Sequence, residues 1–130
     1  MKNTSTDAFK EKVGSLLIRN SNILDILTKC QTSCARMCRS TIKSATGCGC
    51  IEIHGKKGVI DVNSSAAERL SAGSCIDGEL SRYCRSIIEN EIGESLFYIA
   101  SLCNVLGISM KKITQKEIER VESLGKYSLH

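Results

Sequence analysis

Two short stretches carry residue types that could do chemistry. The first is "CGCIEIH", residues 48–54. If it is extended, side chains alternate between faces, so Cys48, Cys50, Glu52 and His54 share one face and Ile51 and Ile53 the other. Two thiolates and an imidazole are good zinc ligands. Cys48, Cys50 and His54 are therefore expected as a zinc-binding set, with Cys75 or Cys84 available as a fourth ligand. An iron–sulfur centre is the other chemistry these thiols suggest. The second stretch is "IIENEIGESLFYIASLCNVLGI", residues 87–108. A helical step of about 100° per residue puts Glu91 in an arc with Ile87, Ile88, Ser95, Tyr98, Ile99, Leu102 and Leu106, and Glu94 beside it at the arc's edge. A carboxylate on a packed face costs several kcal/mol, by about that order, unless it is paired or holds a metal. Two neighbouring ones are expected to share a divalent cation, Mg²⁺ or Mn²⁺, which takes oxygen ligands and keeps several waters.

A third group, Cys30, Cys34 and Cys38, recurs every four residues and forms one helical stripe with Ile23, Leu27 and Met37. Free cysteine is among the most buried residue types, and these read as small core residues. All eight cysteines are expected as thiols, metal ligands or redox sensors rather than as a disulfide framework, because the first twenty residues place Lys, Asp and Glu where a signal peptide would be apolar. The expected compartment is the cytoplasm.

The stretch "EIGESLFYIASLCNVLGIS" followed by "KKITQKEIERV" resembles the MazG-like, all-α nucleoside triphosphate pyrophosphohydrolases. Their acidic ExxD pair corresponds here to Glu91 and Glu94, and their Lys followed four residues later by Arg corresponds to Lys116 and Arg120. The resemblance covers residues 85–121. It implies that Glu91 and Glu94 are catalytic residues anchoring Mg²⁺ or Mn²⁺, that Lys116 and Arg120 bind substrate phosphates, and that water cleaves between the α and β phosphates of a nucleoside triphosphate. It also implies a homo-oligomer. The pair's second member is Glu rather than Asp, and the family's other acidic motif, ExxE preceded by Glu on an earlier helix, is not found in this sequence. The alternative is a non-catalytic regulatory or binding protein on the same helical scaffold, sensing metal or redox state through its cysteines.

These side chains need a scaffold, and the chain length of 130 residues suits one domain, 1–130. Hydrophobic residues at 42% and charged ones at 25% are ordinary for a globular protein, so disorder is not indicated. With no Pro, no Trp, two Phe and three Tyr, the core must come from Leu, Ile, Val, Ala and Cys. A net charge of +4, without aromatic residues interleaved among the basic ones, argues against a nucleic-acid platform, and no apolar run approaches the about 20 residues of a membrane span.

The periodicity predicts an all-α bundle of about four main helices with a small β-hairpin. Helices are expected from Asp7 to Arg19, capped by Thr6 or Asp7; from Ser21 to a left-handed stop at Gly47; from Gly78 to Leu106, capped by Asp77; and from Ser109 to near Gly125. The hairpin is expected at 48–62 with "GKKG" as its turn, and a flexible connection at 63–76.

Overall fold

The computed structural model describes residues 5–16, 22–55 and 75–128. The fold is mostly helical. Four α-helices stand among the described residues: α1 (Thr6–Leu16), α2 (Ile23–Lys43), α3 (Arg82–Leu106) and α4 (Met110–Ser128). A π-helical turn (Ser44–Cys48) extends α2, and β1 (Ile51–Ile53) pairs antiparallel with β2 (Ile76–Gly78). No single helix among the described residues is long and apolar enough to cross a membrane.

The helix starts are set by short polar side chains that accept from otherwise unsatisfied first-turn N–H groups. Ser5 Oγ accepts from Ala8 N–H in α1, Asn22 Oδ1 from Leu24 N–H in α2, Ser81 Oγ from Cys84 N–H in α3 and Ser109 Oγ from Lys112 N–H in α4. Two expected caps are thereby corrected. Ser5 replaces Thr6 or Asp7. Ser81 replaces Asp77, because Ile76–Gly78 is spent in the β-ladder and the helix cannot start until that pairing ends. The expected stop of α2 at Gly47 is also displaced: the left-handed residue is Gly49, at φ 76°, beyond the π turn. At the end of α3, Gly107 (φ 66°) sends its N–H to Asn104 O, and Ile108 sends its N–H to Cys103 O, satisfying last-turn carbonyls.

The chain clusters into two compact units, one made of Met1–Ser33 with Gly93–His130 and the other of Cys34–Ile92. In the first, Val13, Ala100, Cys103 and Met110 form a buried cluster with Phe97 packed against it. Helix α1 approaches α3 closely at Gly14, where a Cβ would lie 2.9 Å from Asn104 Oδ1. Asn104 uses that closeness to donate from Nδ2 to Lys10 O at 2.7 Å and Ala100 O at 3.1 Å. Asp7 then secures the start of α4, accepting from Lys111 N–H and Ser109 Oγ–H. Ser33 and Ser95 are buried and their hydroxyls meet at 3.3 Å, an approach that larger residues would prevent.

In the second unit Ile51, Cys84, Ile88 and Ser44 are buried. Across the described residues the buried apolar set is Val, Ile, Ala, Cys and Met, with no Leu. Of the expected core residue types Ile, Val, Ala and Cys are found there, while Leu is not and Met110 is added. Ser33, Ser95 and Ser101 are buried, with Ser33 and Ser95 in contact, whereas Leu24, Leu96 and Leu106 are exposed. Ile99 and Leu106, placed in the buried arc by the helical wheel, are exposed as well.

The strand expected within 48–62 is present as β1, but its described partner is Ile76–Gly78 rather than the segment after "GKKG". That turn, the second arm of the expected hairpin, and the connection at 63–76 apart from Cys75 and Ile76 lie outside the described residues.

Candidate metal centre

Three cysteine sulfurs converge in the second unit. The Sγ atoms of Cys48, Cys50 and Cys84 all lie within 4.8 Å of one another. Each arrives on a different piece of backbone. Cys48 closes the π turn, which is held by Gly49 N–H donating five residues back to Ser44 O at 2.9 Å. Gly49 then reverses the chain in a left-handed conformation that costs a residue with a Cβ about 1–2 kcal/mol. The reversal lets Cys50 turn back toward the same carbonyl, its Sγ 3.6 Å from Ser44 O. Residues 48–50 are therefore not extended, contrary to the alternation assumed from sequence.

Cys84 is delivered by the sheet. Ile51 pairs with Gly78, and a Cβ on Gly78 would sit 2.7 Å from Cys50 O. Only glycine, here at φ 90°, allows β2 to lie so close beside Cys50. A short link then leads to Ser81 and the first turn of α3, where Cys84 occupies the third helical position. Its sulfur stands at the positive end of the helix dipole, an environment that favours thiolate.

The surroundings sort the protons. Hydrogen bonds from Ser81 and then Ser44 favour the Cys84 thiolate; burial opposes them, contacts from Cys48 and Cys50 add to them, and the result is a pKa of about 7. For Cys48 the Ser81 contact, Sγ to Oγ 3.8 Å, acts to lower the pKa. Sharing its proton with Cys84 and Cys50 acts the other way, and Cys48 is raised overall. The surroundings thus favour the thiolate at Cys84 and the protonated form at Cys48. A metal ion would release the remaining protons as it bound. Around one ion at about 2.3 Å, tetrahedrally disposed sulfurs are roughly 3.8 Å apart, and the three sulfurs here lie within 4.8 Å of one another.

A second group lies on the exposed face of the sheet. His54 Nε2 is 2.9 Å from Asp77 Oδ2 and 3.3 Å from Glu52 Oε2. Glu52 and Asp77 are direct cross-strand partners. The expected set of Cys48, Cys50 and His54 is thus divided: the two cysteines join Cys84, and His54 joins the two carboxylates. Cys75 precedes β2, where its carbonyl accepts from His54 N–H at 2.7 Å, and its sulfur belongs to neither group. The eight cysteines form no disulfide with one another. Cys30 and Cys34 are half-buried and Cys38 is exposed, so their stripe is not part of the buried core.

Glu91 and Glu94 both lie in α3, and both are partly buried. Among the described residues, neither belongs to a group of three or more potential metal ligands. Lys116 and Arg120 are exposed on α4. Arg120 donates from Nε and Nη2 to Glu117, which its guanidinium holds below the usual carboxylate range.

Cys84 was legible as an optional ligand, but its role depends on the β1–β2 register, which local periodicity does not encode. Comparison with protein-family models, curated proteins and solved structures finds no match to any of them.

Proposed function

We propose that this chain is a metal-binding regulatory module, with Cys48, Cys50 and Cys84 as thiolate ligands to one thiophilic divalent ion, Zn²⁺ by the character of the donors. The observation that carries this reading is the approach of three sulfurs within 4.8 Å, each on a different local backbone feature. Such spacing suits ligands to a single ion better than ligands to a cubane cluster, whose cysteines bind different irons. The ion would tie the end of α2 to the start of α3 and close the chain between them, so metal occupancy would set the stability of the second unit. Oxidation of the same thiols would block occupancy, which makes the module responsive to redox state as well.

Purified protein refolded with Zn²⁺ should hold about one equivalent after gel filtration, and Co²⁺ in its place should give intense thiolate-to-cobalt bands. Stoichiometric Co²⁺ with no such band would overturn the reading.

A second reading follows the resemblance to MazG-like enzymes. Its support is that Glu91 and Glu94 stand three residues apart in one helix and are both partly withdrawn from water. In this reading they anchor Mg²⁺ or Mn²⁺ for hydrolysis of a nucleoside triphosphate, and Lys116 and Arg120 contact its phosphates. Self-association belongs to the same reading, and α4 exposes Ile113, Ile118, Val121 and Leu124 to support it. Release of pyrophosphate from a panel of nucleoside triphosphates with Mg²⁺, lost in Glu91→Gln, is the expected result; no hydrolysis across the panel rejects it.

A further inference from the structure

We infer that the fourth coordination position of the ion held by Cys48, Cys50 and Cys84 is filled by a small exogenous thiol that carries a carboxylate, seated in the groove beside the cluster. The inference rests on the metal-binding reading above and says what completes that site.

A zinc-like ion bound by thiolates takes four ligands, and a site with three protein ligands keeps one position open for an outside molecule. The chain has no evident fourth thiolate to offer. The five other cysteines stand outside the cluster, and the segments beyond the described residues contain no cysteine at all. His54 is engaged with Asp77 and Glu52.

The cluster opens onto a groove of about 370 Å³ lined by Cys48 and Cys84 themselves, together with Lys43, Ser40 and Tyr83. That volume is at the small end of the range for small-molecule sites, suited to a ligand the size of an amino acid or a little larger. Among the described residues no Asp or Glu lines the groove, and Lys43 is the one cationic side chain there. Three thiolates on a divalent ion already leave a net charge of −1, and a fourth makes it −2. A nearby ammonium offsets that charge and offers a partner for a carboxylate. Serine and tyrosine hydroxyls can take its remaining oxygen contacts.

The step is ligand exchange without a change in oxidation state. The incoming thiol loses its proton to solvent, its sulfur bonds to the ion, and a coordinated water leaves.

The test uses the full chain loaded with Co²⁺ and three probes: 3-mercaptopropionate, 2-mercaptoethanol and propionate. The first has both thiol and carboxylate, the second only the thiol, the third only the carboxylate. The expected result is a saturable change in the cobalt bands with 3-mercaptopropionate, at least about tenfold tighter than with 2-mercaptoethanol, with cobalt still co-eluting with the protein. Propionate should leave the bands unchanged. Lys43→Gln, a change at an exposed site that leaves all three sulfurs in place, should bring the two thiols within about twofold, and Lys43→Arg should restore the preference. Equal affinity of both thiols in the wild type, no spectral response to either, or removal of the metal by the probe overturns the inference while leaving the metal site standing. Failure of cobalt to show any thiolate band takes down the metal-binding reading and this inference together.

Discussion

The two potential ligand groups of the second unit are built around the same small sheet, yet they differ in donor type and in surroundings. Cys48, Cys50 and Cys84 graduate from exposed to buried, with serine hydroxyls and a helix N-terminus around them. Glu52, His54 and Asp77 are all exposed to water, and the two carboxylates are about three-quarters exposed. Both groups bring three donor atoms within 4.8 Å of one another. Proximity alone therefore does not separate them; the surroundings do. Buried sulfur has few alternatives to a proton or a metal, whereas an exposed carboxylate exchanges one set of waters for another at little gain.

The largest effect that tests this contrast comes from removing one ligand of each group. Cys84→Ser should reduce zinc from about one equivalent to near zero. It should also abolish the metal-dependent rise in stability, which for the wild type at a hundredfold excess over Kd amounts to about 2.7 kcal/mol. His54→Ala should change neither quantity. If His54→Ala also releases the metal, the two groups are one site and the contrast is broken. Elemental analysis and thermal melts with and without Zn²⁺ read both outcomes.

A smaller effect is expected where the backbone, rather than a ligand, is altered. Gly78→Ala places a Cβ 2.7 Å from Cys50 O at a φ of 90°. The strained conformation alone costs about 1–2 kcal/mol, and the overlap can be relieved only by moving β2 away from Cys50. Urea unfolding of the metal-free protein should show a loss of about 2 kcal/mol or more. Cobalt affinity should fall with it, since the same movement shifts Cys84 relative to Cys48 and Cys50. A stability loss with unchanged cobalt affinity would show that the sheet does not position the cluster.

Smaller again is Ser81→Ala. It removes the N-cap of α3, worth about 1 kcal/mol, and the hydroxyl beside Cys48. Loss of such an outer partner typically weakens metal binding by about tenfold or more. Ser5→Ala, which removes the corresponding cap of α1, is the control: it should cost comparable stability without altering the cobalt isotherm.

How much of this was legible in the sequence follows from which features are local. The helix at Ser109 was readable because a serine before an apolar-periodic stretch is a local signal, and Ser109 Oγ does accept from Lys112 N–H. The mostly helical fold with a small sheet was readable for the same reason. The pairing of Ile51 with Gly78 was not, because "GKKG" offers a nearer turn and nothing in a local pattern announces a partner so far along the chain. That one non-local pairing explains three differences together. It takes Asp77 away from capping α3, separates His54 from Cys48 and Cys50, and brings Cys84 to them. The π turn was equally hidden, since its sequence, "SATGC", carries no pattern distinct from an ordinary helix end. The carboxylates of α3 were readable from helical periodicity as partly buried, and Glu91 and Glu94 are so.

The smallest effect is predicted for Asp77→Asn. Asp77 sits directly across the ladder from Glu52, and both approach His54. Facing like charges on a sheet oppose each other by some tenths of a kcal/mol, and an exposed polar contact to His54 returns about as much. The substitution removes the repulsion together with the pair, while the asparagine oxygen can still accept from His54 and Glu52 remains as a second acceptor. The opposed terms should leave unfolding free energy within about 0.5 kcal/mol of wild type, and the zinc content and cobalt isotherm unchanged. The measurement is sensitive because so little should happen. A fall in stability beyond 1 kcal/mol or so, or a weakened response to Zn²⁺, would mean that the exposed group itself binds the ion, and the burial argument that ranks the thiols above it would fail.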